Sequence, residues 1–263
     1  MKIGCCTGME NYEELCRAGY DFIELAGTQI MAMSAQELED ARRRIDSRGV
    51  PCNGFNGYCA DKPAMAGPGF DLRAAKNYAE EICRRGKALG IRVIGLGAPL
   101  ARRLPEGFDP AAAAQQIREF IRVTAEEGGK QGITFLLEAL NSHICTLLVH
   151  TREALDIVKS LNMPCLRMVL DFHHLRRCGE DAADIAYVMP YVAHLHIDHT
   201  LPDGSRHHLR EEGIPFYRRC LNAARGCGYD GTLSIEPTVT ASFREEAPES
   251  LHILRAILDG PAA

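Results

Sequence analysis

Four short apolar runs in the second half of the chain each carry a side chain that can bind a metal ion. They are TFLLE (134–138), MVLD (168–171), AHLHI (193–197) and LSIE (233–236), and they supply Glu138, Asp171, His196 and Glu236. Successive members of this set are 33, 25 and 40 positions apart, so no local motif can bring them together. In a closed parallel barrel the carboxyl ends of all strands meet at one face. The spacing therefore predicts such a barrel, with these side chains gathered at its mouth.

Strand-like runs alternate with helical segments along the whole chain. Most of the runs are short and continuously apolar, which is typical of strands covered on both faces. An open doubly wound sheet is the alternative, but it would need a Gly-rich phosphate turn after the first strand, which GCCTGMENY (4–12) lacks. We predict one α/β domain over residues 1–263 with eight strands, the number that closes a barrel: Lys2–Cys6, Asp21–Leu25, Val50–Phe55, Arg92–Leu96, Ile133–Glu138, Arg167–Asp171, Val192–Ile197 and Thr232–Glu236.

Helix signals lie between these strands. Ser34 with Glu37 forms a capping box, and Asp109 before Pro110 is a cap followed by a proline at the first helical position. Further helices are predicted to open at Thr151 and at Gly213-Ile-Pro. An apolar stripe at helical spacing predicts one more helix, and its members are Leu72, Ala75, Ala79, Ile82 and Leu89.

The composition is that of a globular protein. Hydrophobic residues make up 46% and charged residues 25% of the 263, which excludes a disordered chain. The net charge of -5 argues against a nucleic-acid surface, and no apolar run approaches the roughly 20 residues of a membrane span. MKIGCCTG at the start has no secretory signal features, so we interpret the eleven cysteines as reduced thiols of a cytoplasmic protein. For Cys5 and Cys6, packing is preferred over a catalytic thiol.

Each side chain of the predicted site also has a structural interpretation. A glutamate ending a buried strand is costly unless it is paired or metal-bound, and Glu138 alone would be satisfied by a salt bridge to a neighbouring strand. His194 is interpreted as a core histidine, one layer below His196. Together, three carboxylates and one imidazole at four strand ends favour a divalent cation such as Mn²⁺ or Mg²⁺. Segment 198–213, which contains DGSRHHLREEG, is predicted to be a loop of this site.

Four motifs resemble one known family. EALNSHICTLL (138–148), VLDFHHL (169–175), HLHIDH (194–199) and GYDGTLSIEP (228–237) together resemble the xylose-isomerase-like TIM-barrel superfamily of sugar-phosphate isomerases and epimerases. The ketose 3-epimerase and hydroxypyruvate isomerase branch is the most similar. The resemblance covers essentially the whole chain and implies a single (β/α)8 TIM barrel. It also implies one divalent ion, Mn²⁺ or Mg²⁺ before Co²⁺ or Zn²⁺, on the four ligands named above, with Glu138 and Glu236 as the acid/base pair.

The resemblance extends to substrate contacts. His174 matches a histidine that hydrogen-bonds the substrate near its carbonyl, with His173 as the competing candidate. Arg206 matches an arginine that holds substrate hydroxyls, and Asn141 matches the asparagine of an E-x-x-N pattern. The chain departs from the epimerase pattern at two positions. Ser142 stands where that pattern has Arg, and Ile144 stands where it has Glu. His143 is the candidate to replace part of the polar wall that these two residues would form.

The implied chemistry is proton transfer at a carbon beside a carbonyl, through an enediolate. Two glutamates and a Lewis acid suit epimerisation or isomerisation of a small ketose-like sugar or keto acid. Dehydration of a keto-inositol-like substrate is the alternative on the same site. An AP-endonuclease of the same superfamily would need further zinc-binding histidines, which VPCNGFNGY (50–58) and RVIGLGAP (92–99) lack, and a non-catalytic sugar-binding barrel would not need the full ligand set. We expect no nucleic-acid or membrane partner, and a homodimer or homotetramer is compatible with the family.

Overall fold

A closed barrel of eight parallel strands forms the centre of the computed structural model, which describes residues 1–182 and 184–260. In chain order the strands are β1 Lys2–Cys6, β2 Phe22–Ala26, β3 Cys52–Asn56, β4 Val93–Leu96, β5 Thr134–Glu138, β6 Leu166–Asp171, β7 Val192–Ile197, β8 His199–Thr200, β9 Arg206–His207 and β10 Thr232–Ile235. Around the barrel the strand order is β1-β10-β7-β6-β5-β4-β3-β2, and a separate antiparallel hairpin, β8–β9, lies outside it.

The predicted closed barrel is confirmed, and so are its strands, to within two residues at either end. The largest difference is at β3, which begins at Cys52 rather than at Val50. Pro51 explains this boundary, because proline has no N–H to give to the sheet ladder. Its carbonyl still accepts a hydrogen bond of 3.0 Å from the Ile23 N–H.

Helices cover the outside of the barrel between successive strands. They are α1 Tyr12–Ala18, α2 Gly27–Ala32, α3 Ala35–Arg48, α4 Leu72–Ala88, α5 Pro110–Gln131, α6 Thr151–Leu161, α7 Phe172–Arg177, α8 Ile214–Gly226 and α9 Phe243–Leu258. The capping box is present at Ser34, and the Asp109 side chain caps α5 ahead of Pro110. Both features were predicted from the sequence. They satisfy N–H groups that a helix start would otherwise leave unpaired.

The helix predicted from the apolar stripe is confirmed as α4. Ala75, Ala79 and Ile82 are fully buried, whereas Leu72, the first residue of the helix, is 36% exposed. The buried face of α4 therefore begins at Ala75 rather than at Leu72.

Strand register pairs two of the predicted ligands directly and places the other two within two residues of that level. Asp171 lies beside His196 across β6 and β7, and Ser234 lies beside His196 across β10 and β7. Parallel strands all point the same way, so these positions meet at the carboxyl face of the barrel.

Cys5 and Cys6 are both buried on β1, which agrees with packing as their interpretation, and the cysteines are unpaired thiols. None of the helices formed by residues 1–182 and 184–260 is long and apolar enough to cross a membrane.

Candidate metal centre and substrate cavity

The structure brings the four predicted metal ligands together at the mouth of the barrel. Glu138 and Asp171 end β5 and β6, His196 lies near the end of β7, and Glu236 directly follows β10. One ligand atom from each lies within 4.8 Å of the others. The first three are buried and Glu236 is half-buried. Residues that are far apart in sequence thus form one compact set of three carboxylates and one imidazole.

The orientation of His196 tests whether these residues fit a metal ion. Its Nε2 lies 3.1 Å from Glu24 Oε1, and its Nδ1 lies 2.9 Å from Glu236 Oε2. The Nδ1 contact has no hydrogen-bond geometry, so among the described residues this buried nitrogen has no hydrogen-bond partner. A buried polar atom without a partner needs an explanation. A divalent cation among the three carboxylates would accept the Nδ1 lone pair, and an oxygen-rich donor set suits Mn²⁺ or Mg²⁺.

Arg206 supplies the positive charge beside these carboxylates. It lies on β9 and is only 8% exposed. Its Nη2 donates to Asp171 at 2.8 Å and to Glu236 at 2.7 Å, and its Nε lies 2.6 Å from Asp198 Oδ2. The sequence predicted a substrate contact for Arg206. The structure places it in the cavity lining but also directly against two of the predicted metal ligands.

Charge is distributed unequally between the two predicted acid/base residues. Burial and the neighbouring Glu236 and Asp171 raise the pKa of Glu138 to about 8. Burial would also raise the pKa of Glu236, but Arg206 and His196 outweigh it and lower that pKa instead. The surroundings therefore displace the pKa values of the two glutamates in opposite directions.

His174 is held as a neutral hydrogen-bond donor. Asn141 Nδ2 donates to His174 Nδ1 at 2.8 Å, which leaves the proton of the ring on Nε2. That Nε2 lies 3.8 Å from Glu138 Oε1 and 3.7 Å from Asp171 Oδ2. Burial lowers the pKa of His174 to about 4, so the ring is uncharged at neutral pH. His173 also lines the cavity, but its Nδ1 is hydrogen-bonded to Thr200.

A cavity of about 300 Å³ opens beside these groups. This volume is at the small end of ligand sites and suits a molecule the size of a monosaccharide. Its polar wall contains Glu138, Asn141, His173, His174, Arg206 and Glu236, and its apolar wall contains Ala98, Pro99, Leu140 and Ile144 with nearby glycines. Glu236 also lines a second cavity, of about 180 Å³, toward Asn56 and Gln29.

His143 does not join this lining. Its side chain is exposed, and its contribution to the site is its backbone N–H, which donates to Asn141 Oδ1 at 3.1 Å. The prediction that the His143 side chain forms part of the polar wall is therefore not supported by its position. The turn after Asn141 directs that side chain toward solvent.

Several residues of the site were missed by sequence reasoning. Arg102 is fully buried and donates from Nη1 to the Glu138 carbonyl at 2.8 Å, although ARRLPEG (101–107) looks like an ordinary surface loop. Asp198 is buried beside Arg206. Glu24 lies within the apolar run FIEL (22–25), and a charge in the middle of a buried strand was the signal that could have identified it.

Gly97 is also part of the site. A Cβ at this position would lie 2.5 Å from Glu138 Oε2, so the absence of a side chain leaves the space that the Glu138 carboxylate occupies.

Comparison with known proteins places the chain in a family. The family model described as "Xylose isomerase-like TIM barrel" matches residues 12–257. The chain belongs to this family. A D-psicose 3-epimerase of Ruminiclostridium cellulolyticum is 23% identical over 235 residues, 86% of this chain and 77% of that protein. A D-psicose 3-epimerase of Agrobacterium fabrum is 25% identical over 236 residues, 86% of this chain and 78% of that protein.

A solved structure supports the fold of this family member. The crystal structure of a D-psicose 3-epimerase in the presence of D-fructose superposes with a TM-score of 0.83. The match covers 99% of this chain and 100% of the other, at 20% identity. At this identity the likeness establishes the TIM-barrel fold.

Proposed function

We propose that this protein epimerises or isomerises a small ketose-like sugar through an enediolate, with Glu138 and Glu236 as its acid/base pair. The observation that carries the proposal is the convergence of these two glutamates on one sugar-sized cavity. They come from strands three places apart around the closed sheet, so they reach the cavity from different sides. Two such carboxylates can address the two faces of a planar intermediate.

Family membership and relatives that are sugar epimerases identify the chain as an enzyme of the sugar isomerase and epimerase class. The shared name D-psicose 3-epimerase makes D-psicose and D-fructose the first substrates to test. Ile144 lies in the cavity wall at the position where the epimerase pattern has Glu, so other ketoses are tested beside these two. A cytoplasmic location stays a prediction from the sequence.

One divalent cation, Mn²⁺ or Mg²⁺, is proposed to bind Glu138, Asp171, His196 and Glu236. When bound, it would act as a Lewis acid on the substrate carbonyl and stabilise enediolate charge by several kcal/mol. Zinc is less suited to this set, because zinc sites usually contain more nitrogen or sulfur.

The protein's own side chains would move and position the proton. Glu236 is the ionised partner and removes the proton from the carbon beside the carbonyl. Glu138 returns a proton to the other face, and exchange with solvent restores both glutamates before the next turnover. His174 donates from Nε2 to a substrate oxygen, and Arg206 binds a hydroxyl while balancing the charge of Asp171. The apolar wall excludes water from the reacting carbon.

The test is a substrate panel with metal-depleted protein. D-psicose, D-fructose, D-tagatose, L-ribulose, hydroxypyruvate and a keto-inositol are each incubated with EDTA-treated protein, with and without added Mn²⁺. We expect conversion of at least one ketose, dependent on Mn²⁺ and absent from a Glu138→Gln, Glu236→Gln double variant. Loss of water from the keto-inositol would instead assign the dehydratase alternative. Cleavage of an abasic-site oligonucleotide, or ketose conversion at full rate in EDTA, would contradict the proposal.

A further inference from the structure

Glu24 forms a buried hydrogen-bond centre directly beneath the candidate metal site. It lies on β2 and is 3% exposed. His194 Nε2 is 2.9 Å from its Oε2, His196 Nε2 is 3.1 Å from its Oε1, and Ser234 Oγ donates to Oε2 at 2.5 Å. An ionised carboxylate can only accept hydrogen bonds, so each of these three neighbours must donate. Both imidazoles therefore carry a proton on Nε2.

This requirement decides which nitrogen of His196 faces the carboxylates of the candidate metal site. With Nε2–H donated to Glu24, the Nδ1 of a neutral His196 ring keeps its lone pair. That Nδ1 is the buried atom without a hydrogen-bond partner, 2.9 Å from Glu236. The carboxylate below the ring thus sets both the tautomer and the plane in which the lone pair points.

The support for Glu24 continues one step further down the barrel. His194 Nδ1 lies 2.6 Å from Thr232 Oγ1, so the threonine hydroxyl donates to this nitrogen when Nε2 carries the proton. The edge of the Phe22 ring packs against His194, with ring centroids 6.1 Å apart. Thr232, His194, Glu24 and His196 therefore form a continuous chain of hydrogen bonds that ends at a predicted metal ligand.

We infer that Glu24 is a positioning residue that holds His196 in the Nε2–H tautomer, with Nδ1 presented to a divalent cation. The inference rests on the proposed metal site and extends it to a residue that contacts neither metal nor substrate. A carboxylate or carbonyl acceptor behind a metal-binding histidine typically changes metal affinity about 10- to 100-fold.

Glu24 and His196 also form a cluster with Cys6, in which one ligand atom of each residue lies within 4.8 Å of the others. The alternative interpretation of this cluster is a binding site for a soft cation. The hydrogen bonds favour the positioning role. Glu24 already accepts from three donors, and a cation there would require His196 Nε2 to lose its proton. Binding at this cluster is therefore an outcome that the experiment must distinguish.

The test compares Glu24→Gln with Glu127→Gln. Glutamine keeps the size of the side chain but replaces one acceptor oxygen with a donor amide. Glu127 is the matched control, because it is also buried, at 5% exposure, but lies on α5 and pairs with Lys130 at 2.7 Å. We expect calorimetric titration with Mn²⁺ to give one equivalent for all three proteins. The Kd should rise about 10- to 100-fold in Glu24→Gln and stay within about twofold of wild type in Glu127→Gln.

A second measurement detects the tautomer without measuring activity. In protein labelled with ¹⁵N-histidine and loaded with diamagnetic Mg²⁺, the His196 signal is identified by its loss in His196→Gln. It should report Nε2–H in the wild type and a mixture of tautomers in Glu24→Gln. Thermal unfolding of both variants shows whether a change in affinity merely follows a loss of folding.

Three results would overturn the inference. Equal Mn²⁺ affinity and an unchanged His196 tautomer in Glu24→Gln, with a wild type that binds Mn²⁺, would contradict it alone. Failure of the wild type to bind Mn²⁺, Mg²⁺ or Co²⁺ would contradict the proposed function and this inference with it. A second equivalent of Zn²⁺ that disappears in Cys6→Ser would replace positioning by a soft-cation site at the cluster.

Discussion

At the scale of single residues, the site is a problem of charge balance. Asp171, Asp198 and Glu236 all contact the Arg206 guanidinium, whose single positive charge offsets part of their combined negative charge. Glu138 has no direct contact with that guanidinium among the described residues, and burial with its carboxylate neighbours raises its pKa to about 8. The two glutamates therefore differ because of their surroundings, although they occupy equivalent ends of two strands.

Replacing either glutamate should remove acid/base function. We expect Glu138→Gln or Glu236→Gln to lower kcat by about 10²- to 10⁴-fold, the usual contribution of a positioned proton-transfer group. Because both residues are also predicted ligands, the assay is done at saturating Mn²⁺ with metal content measured in parallel. Glu127→Gln should keep wild-type kcat. Full activity in either active-site variant would exclude that glutamate from proton transfer.

The Asn141–His174 pair offers a sharper test at the same scale. His174→Ala should lower kcat/KM while metal content stays unchanged, because His174 is assigned to substrate rather than to metal. Asn141→Asp should place an acceptor at His174 Nδ1 and so move the ring proton away from Nε2. We expect kcat/KM to fall by about 10²-fold or more in this near-isosteric variant. Loss of metal in His174→Ala would show that His174 is a ligand.

At the scale of elements, the segment after β4 supports the end of β5. Arg102 bonds the carbonyl of Glu138, and Gly97 leaves room for its carboxylate. A neighbouring loop thus holds the strand end that carries Glu138 in position. The loop that contains Gly97 and Arg102 therefore belongs to the site, although it contributes none of the predicted metal ligands.

Gly97→Ala should separate site geometry from stability. The added Cβ would lie 2.5 Å from Glu138 Oε2, the far end of a flexible side chain, so the carboxylate should move and the barrel should stay folded. We expect weaker Mn²⁺ binding and lower kcat with little change in the unfolding temperature. Gly95→Ala is a suitable control, since its nearest neighbour would lie at 3.4 Å. Wild-type activity in Gly97→Ala would contradict this assigned role.

The sequence predicts site residues at strand ends better than site residues in loops. Strand ends such as Glu138 and Asp171 were predictable because apolar runs fix the strands, and barrel topology then fixes where the ends meet. Arg102 and Asp198 were not, because their positions depend on loop conformations that leave no periodic pattern. The exposed position of the His143 side chain was not predictable for the same reason: the turn after Asn141, rather than the strand, determines its direction.

At the scale of the whole molecule, buried neutral histidines should make stability depend on pH. Burial lowers the pKa of both His174 and His208 to about 4, whereas an unfolded chain titrates near pH 6.5. Below about pH 6.5 the unfolded state therefore binds more protons than the folded state at these two positions. Their contribution is complete above that pH and is lost as the pH falls toward 4.

His208→Leu isolates one of these contributions. His208 is 3% exposed, and neither ring nitrogen has a hydrogen-bond partner among the described residues. Relative to wild type, the metal-free variant should gain up to about 3 kcal/mol in unfolding free energy between pH 6.5 and 4. Urea unfolding at several pH values measures this difference. His252→Leu, at an exposed position of α9, is the control. Parallel pH profiles for wild type and His208→Leu would contradict the prediction.

The proposed chemistry requires two carboxylates to exchange a proton at the carbon beside the substrate carbonyl. This exchange is measured by running the reaction in heavy water with Mn²⁺-loaded protein and locating deuterium in the product by NMR. Because one glutamate removes the proton and the other returns one, we expect solvent deuterium on that carbon. The labelling should disappear in EDTA and in Glu138→Gln or Glu236→Gln. Conversion of substrate with no carbon-bound deuterium would exclude proton exchange through the two glutamates.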